Sequence, residues 1–202
     1  MTLPTDLKDA LGALSVALAI VAAIVYVWQT LAGQVRPHPL SWALFGVLSA
    51  TGFLVHRAEG ALQGSWALLA MTAICLIQAA LSVAKGERRF PRREWMYLAA
   101  GCAVFLIYLF SRDPTLAAML ITLVDALGYG PTFSRGWSQP QKDSAISFAL
   151  NAVKFVPSLL AMEPISIATC AYPATLLILN SAVATMLILR RQALRERTPR
   201  AS

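Results

Sequence analysis

The sequence predicts an all-α polytopic membrane protein: seven transmembrane helices in a 3+1+3 arrangement, with two repeated three-helix bundles. Three observations predict it: seven long apolar stretches, a lopsided distribution of cations among the loops between them, and a short internal repeat. The 202 residues are 57% hydrophobic and only 13% charged, with a mean hydropathy of +0.62. That is too apolar for a water-soluble domain.

In chain order the apolar stretches are Leu11–Leu31, Leu40–Val55, Ala61–Ala84, Trp95–Phe110, Leu116–Gly136, Ala145–Met162 and Ile165–Leu189. An α-helix needs about 20 residues to cross a hydrocarbon core of about 30 Å, and several stretches reach that length. The second and fourth are the shortest. None shows the ten-residue alternation of a barrel strand, so a helical bundle follows. The first stretch is preceded by Asp6 and Asp9 around Lys8, unlike the positive leader of a signal peptide, and is expected to be retained. The expected organisation is a first bundle over residues 1–86 and a basic loop with linker span over 87–112. A second bundle follows over 113–190, then a basic tail over 191–202.

Seven spans sort the cations onto two sides. One side carries Arg36, then Lys85, Arg88, Arg89, Arg92 and Arg93, then Arg135 and Lys142, and the tail Arg190, Arg191, Arg195, Arg197 and Arg200. The other has Lys8, Arg57 and Arg112. The positive-inside rule puts the N-terminus outside and the C-terminus in the cytoplasm. A net charge of +7 distributed this way marks topology and contact with anionic lipids, not nucleic acid. Trp28, Trp42, Trp95 and Trp137 fall near the inner boundary, where an aromatic belt is expected.

The repeat is carried by Tyr26, Gly33, Pro37 and Ser41, which recur as Tyr129, Gly136, Pro140 and Ser144, each displaced by 103 positions. Both copies cover the end of one apolar stretch, a polar turn and the start of the next. Repeats of this kind mean two related bundles with a path between them. Gly33 and Gly136, with Pro37 and Pro140, are expected to terminate helices and shape the turns. Tyr26 and Tyr129 are expected to anchor at the interface.

Polar side chains inside apolar spans are expensive and point to a cavity or to one another. Asp125 and Lys154 lie about halfway along spans five and six, which a short turn joins. One reading makes them a buried ion pair. The other has them line a pocket, holding polar ends of a solute, with Asp125 exchanging a proton. Buried pairs rarely add stability over apolar packing, which favours the second. Asn151 is three residues before Lys154, on the same helical face. Gln78 in span three and Asn180 in span seven are a matched pair of carboxamides, 102 positions apart, with donors and acceptors suited to a neutral or zwitterionic solute. Pro131, Pro157 and Pro173 interrupt spans five, six and seven and serve as candidate hinges beside the turn prolines Pro37 and Pro140.

Cys75, Cys102 and Cys170 are read as small buried hydrophobes, since no C-x-x-C spacing or nearby histidine makes a metal site. His38 and His56 are read as interfacial. No nucleotide fingerprint, triad pattern or metal cluster is present, so neither an enzymatic role nor a cofactor is expected.

The pair Pro140-Gln141 at the second turn, Pro37-His38 at the first, and Asp125-Ala-Leu-Gly-Tyr-Gly-Pro131-Thr132 upstream resemble the PQ-loop and SWEET transporter superfamily in an uncharacterised bacterial branch. So does the stretch from Arg36 to Trp42. The resemblance implies a bacterial inner-membrane transporter, uniporter or proton-coupled, for a small polar metabolite such as a sugar, an amino acid or a vitamin-like nucleoside. It also implies that Gln78 and Asn180 face the substrate, since the third span of each half in SWEET proteins presents a carboxamide. A membrane receptor or structural subunit of the same fold remains the alternative. A retinal-type photoreceptor is weaker, because its lysine belongs in the last span. Both a monomer and a homo-oligomer are compatible with these features.

Overall fold

The computed structural model describes residues 3–35, 37–85 and 92–197. Arg36, the centre of the basic loop with Arg88 and Arg89, the 86/87 boundary and the end of the tail with Arg200 lie outside the described residues. Among those described, every regular element is helical: α1 Thr5–Leu31, α2 Pro39–Ala58, α3 Leu62–Lys85, α4 Arg92–Ser111, α5 Pro114–Ser138, a 3-10 turn at Pro140–Lys142, α6 Ala145–Val153, α7 Phe155–Leu160 and α8 Ile167–Arg197.

Local chemistry accounts for the ends. At the close of α1, Gly33 takes φ +71°, and the amides of Gly33 and Gln34 donate to the carbonyls of Thr30 and Gln29. This left-handed cap suits glycine, which has no Cβ to clash. Gly60 (φ +78°) closes α2 in the same way, with Gly60 and Ala61 donating to Arg57 and His56. At the start of α5 the Asp113 carboxylate accepts from the Leu116 amide at 3.0 Å, and Pro114 takes the first helical position, where no amide hydrogen is needed. The Ser144 hydroxyl caps α6 by accepting from the Ser147 amide at 3.1 Å.

Three local expectations change. Gly136 does not terminate a helix; it lies inside α5, where a Cβ would come within 2.6 Å of Met186 and 3.0 Å of Leu187 on α8. Its smallness serves helix contact. The sixth stretch is two segments, because Pro157 has no amide hydrogen and its ring crowds the carbonyl four residues back. The interruption falls on Lys154, which keeps helical dihedrals (φ −60°, ψ −28°). Finally, α8 runs past the apolar stretch to Arg197, since arginine, glutamine, leucine and glutamate are all good helix formers.

The packing order differs from the chain order. α3 lies between α1 and α2, and α8 lies between α5 and the α6–α7 pair. α4 packs on α2 and α5, α1 packs on α6 and α7, and α2 packs on α5. Leu44 of α2 fits against Gly101 of α4 and Gly128 of α5, where a Cβ would stand 2.6 Å and 3.1 Å from its methyl groups. The main core joins Leu48, Leu68, Ile121, Phe155, Tyr172, Leu176 and Leu187.

Five helices, α1, α2, α3, α5 and α8, are long and apolar enough to cross a membrane. Shorter apolar runs lie at Trp95–Ser111 and Ala145–Leu160. Large hydrophobics such as Ile24, Leu76, Leu123, Phe110 and Ile178 are exposed, whereas Gln78, Asp125, Lys154 and Asn180 are buried. A polar inside under an apolar outside is the distribution of a protein solvated by lipid.

Both ends of the bundle are fastened. At the Lys8 end, Lys8 of α1 forms an ion pair with Glu163 in the turn after α7, and the Ser158 hydroxyl donates to the Gly64 carbonyl at 2.7 Å. At the other end Arg191 of α8 donates to the carbonyls of Pro140 and Asp143, and Arg190 donates to the Trp137 carbonyl at 3.2 Å and stacks over its ring. Two of the tail cations therefore hold the Pro140 turn as well as marking a side. Trp28, Trp95 and Trp137 are exposed, but Trp42 turns inward, with its ring 5.0 Å from that of Tyr26.

Candidate functional site

A cavity of about 70 Å³ lies between α1, α3 and α2 on one side and α5, α6 and α8 on the other. Its lining comes from the second half of α1, the last turns of α5, the first turns of α2, the length of α6, the latter part of α3 and Asn180 of α8. It therefore occupies the half of the bundle nearest the Pro140 turn and stops near mid-depth. Nothing from the Lys8–Glu163 end contributes. The volume holds a few waters, so a larger solute requires the helices to part.

One wall is a polar stripe along α6. Ser144, Ser147, Asn151 and Lys154 recur every three or four residues, which puts them on one face. The Ser144 hydroxyl donates to that of Ser147 at 2.8 Å. The Asn151 amide donates to the Ser147 carbonyl at 2.9 Å, and the Lys154 ammonium donates to the Asn151 oxygen at 2.6 Å. Lys154 also lies over the Phe155 ring, 4.9 Å from its centroid. At the top of the stripe Asp143 is half-buried near Arg135 and Arg191. Burial pushes its carboxyl above the usual range, against the pull of the Ser144 amide and the two guanidinium groups.

The facing walls are aromatic and amide. Rings of Tyr26, Trp42, Phe45, Tyr129 and Phe133 follow one another at centroid spacings of 5.0, 6.2, 5.5 and 6.5 Å, linking α1, α2 and α5. Tyr26 and Tyr129 are thus buried wall residues and not interfacial anchors. Gln78 from α3 and Asn180 from α8 both reach the cavity. The Asn180 amide donates to the Leu176 carbonyl at 2.7 Å. Gln78 is fully buried, and neither its amide nitrogen nor its oxygen has a hydrogen-bond partner. Stranding both ends of a carboxamide costs about 1–3 kcal/mol per group, so this side chain is poised for a partner that enters.

The five polar residues singled out from sequence divide unequally. Gln78, Asn151, Lys154 and Asn180 line one cavity; Asp125 does not. It is fully buried in α5, one turn before Tyr129, with neither oxygen hydrogen-bonded. No ion pair joins it to Lys154, because α8 stands between α5 and α6 although a short turn connects them. Pro131 and Pro173 fall inside α5 and α8, Pro157 inside α7, Pro37 in the α1–α2 connection, and Pro140 opens the 3-10 turn.

His38 and His56 are buried rather than interfacial, and His38 lines the cavity. Cys75 is a buried lining residue as expected for a small hydrophobe, whereas Cys102 is exposed on α4. Ser147 and Thr132 complete the polar lining; Ser147 was visible in the sequence as the missing step between Ser144 and Asn151. No family model, curated protein or solved structure matches the chain. Fold and site together define a helical membrane protein with an internal cavity that mixes polar and aromatic side chains.

Proposed function

We propose that the chain is a seven-span transporter of the PQ-loop and SWEET type, with its helices in a 3+1+3 arrangement, and that it moves a small polar metabolite across a bacterial inner membrane. The observation that carries this reading is the cavity's construction: the middle helix of each packed set, α3 and α8, contributes one carboxamide, Gln78 and Asn180. The packing orders α1-α3-α2 and α5-α8-α6 are alike, as expected of two related bundles with α4 as the linker. In repeat-built transporters the solute binds near the midplane between such bundles. The cavity leads toward the cation-rich end, the cytoplasmic side by the positive-inside rule, and ends below the closed Lys8–Glu163 end. The conformation is therefore the inward-directed or occluded one of an alternating cycle.

Binding without passage is the receptor alternative. The test is counterflow: liposomes carrying the purified protein are loaded with an unlabelled solute that raises its thermal midpoint and are offered the labelled form outside. Transport predicts transient accumulation above that of empty liposomes. Binding with no accumulation would assign the receptor role.

A further inference from the structure

The floor of the cavity carries a charge that the protein does not balance. Lys154 is buried and lines the cavity; its ammonium has three donors, of which one is used, on the neutral oxygen of Asn151. No carboxylate among the described residues forms an ion pair with it. At the other end of the stripe Asp143 lies in the field of Arg135 and Arg191 and forms no ion pair with Lys154. Asp125, the other carboxyl at this depth, is not a lining residue and forms no ion pair with Lys154. A buried ammonium without a counter-charge is strongly unfavourable, and a neutral polyol would leave it so.

Gln78 supplies the second half of the pattern. Its unpartnered amide lines the same cavity and offers one donor and one acceptor end. Asn180 adds a second carboxamide from α8, held by the Leu176 carbonyl and the Tyr129 hydroxyl. An ammonium at the floor with carboxamides from two other helices matches a solute with a carboxylate at one end and a hydroxyl or amino group close to it.

We propose that the cavity selects small carboxylate-bearing solutes, hydroxy acids or amino acids, with the carboxylate on Lys154 and the neighbouring polar group on Gln78 and Asn180. This excludes neutral sugars and nucleosides. It rests on the transport reading only for what happens after binding; the binding site stands on its own geometry.

The test is thermal unfolding of the purified protein in detergent, with lactate, glycolate and alanine as carboxylate probes. Glycerol, erythritol and ethanolamine serve as neutral and cationic controls at matched ionic strength. A ligand of the native state raises the midpoint by mass action. At least one carboxylate is expected to raise it saturably, and none of the controls. Lys154→Met keeps a side chain of similar length but removes the charge, and is expected to weaken that binding about tenfold to a hundredfold. Lys154→Arg should retain part of it. Equal shifts with the polyols, no shift with any carboxylate, or unchanged carboxylate binding in a folded Lys154→Met protein would overturn the proposal. A carboxylate that binds but gives no counterflow would uphold this site and end the transport reading instead.

Discussion

Gln78→Leu is expected to abolish solute binding while leaving the fold at least as stable as the wild type. Leucine has a similar volume and no polar atoms, so the substitution removes a buried carboxamide whose two ends have no partner. Recovering that desolvation penalty contributes about 1–3 kcal/mol in the direction of stability, less any loss in packing. Asn180→Leu differs, because the Asn180 amide donates to the Leu176 carbonyl. A net loss of about 1 kcal/mol is expected there, again with loss of binding. Thermal unfolding and ligand titration of both variants separate the two effects. Normal binding in both would make the carboxamides packing groups and move the site elsewhere.

The second large effect distinguishes Asp125 from Lys154. If the two formed a mutual pair, removing one would strand a charge at a cost of about 3–5 kcal/mol, and removing both would restore the protein. The structure has no such pair, so Asp125→Asn and Lys154→Met should act independently. Their coupling in a double-mutant cycle should stay within about 0.5 kcal/mol. Asp125→Asn is expected to abolish accumulation driven by a pH gradient while sparing exchange down a solute gradient, because Asp125 lies off the cavity lining. Full activity with pH-driven accumulation in that variant would remove Asp125 from the cycle. Rescue of Lys154→Met by Asp125→Asn would restore the ion-pair account.

What the sequence made legible was local. Apolar length located the helices, and the glycine at position 33 located the end of α1. The same logic failed at Gly136, because a glycine between two apolar runs can serve either a turn or a close helix contact. Only the position of Met186 and Leu187 on α8 decides which. The arginines after Leu189 read as a basic tail that marks the cytoplasmic side, yet α8 continues through them as far as Arg197 and Arg191 holds the Pro140 turn. Gln78, Asn151, Lys154 and Asn180 were found by the cost of polar groups inside apolar runs, a signal that needs no tertiary knowledge. Asp125 has the same signal but a different place. Chain proximity suggested that spans five and six touch, and the insertion of α8 between them is a packing outcome that no local pattern encodes. Tyr26, Tyr129 and Trp42 were read as interfacial because aromatic residues near helix ends usually are. Their inward orientation follows from α1, α2 and α5 converging on the cavity.

Opening of the cavity to the two sides in turn, as the helix sets part, can be checked at the closed end. Lys8→Cys and Glu163→Cys replace the ion-paired residues that join α1 to the turn after α7. In a background with Cys102 and Cys170 changed to serine, a short bifunctional maleimide can link the two positions. Counterflow is then measured before and after linking, with the single-cysteine variants as controls for modification alone. Alternating access requires linking to stop exchange in the double variant only, because an end that cannot part cannot release solute. Undiminished exchange by the fully linked protein would contradict it.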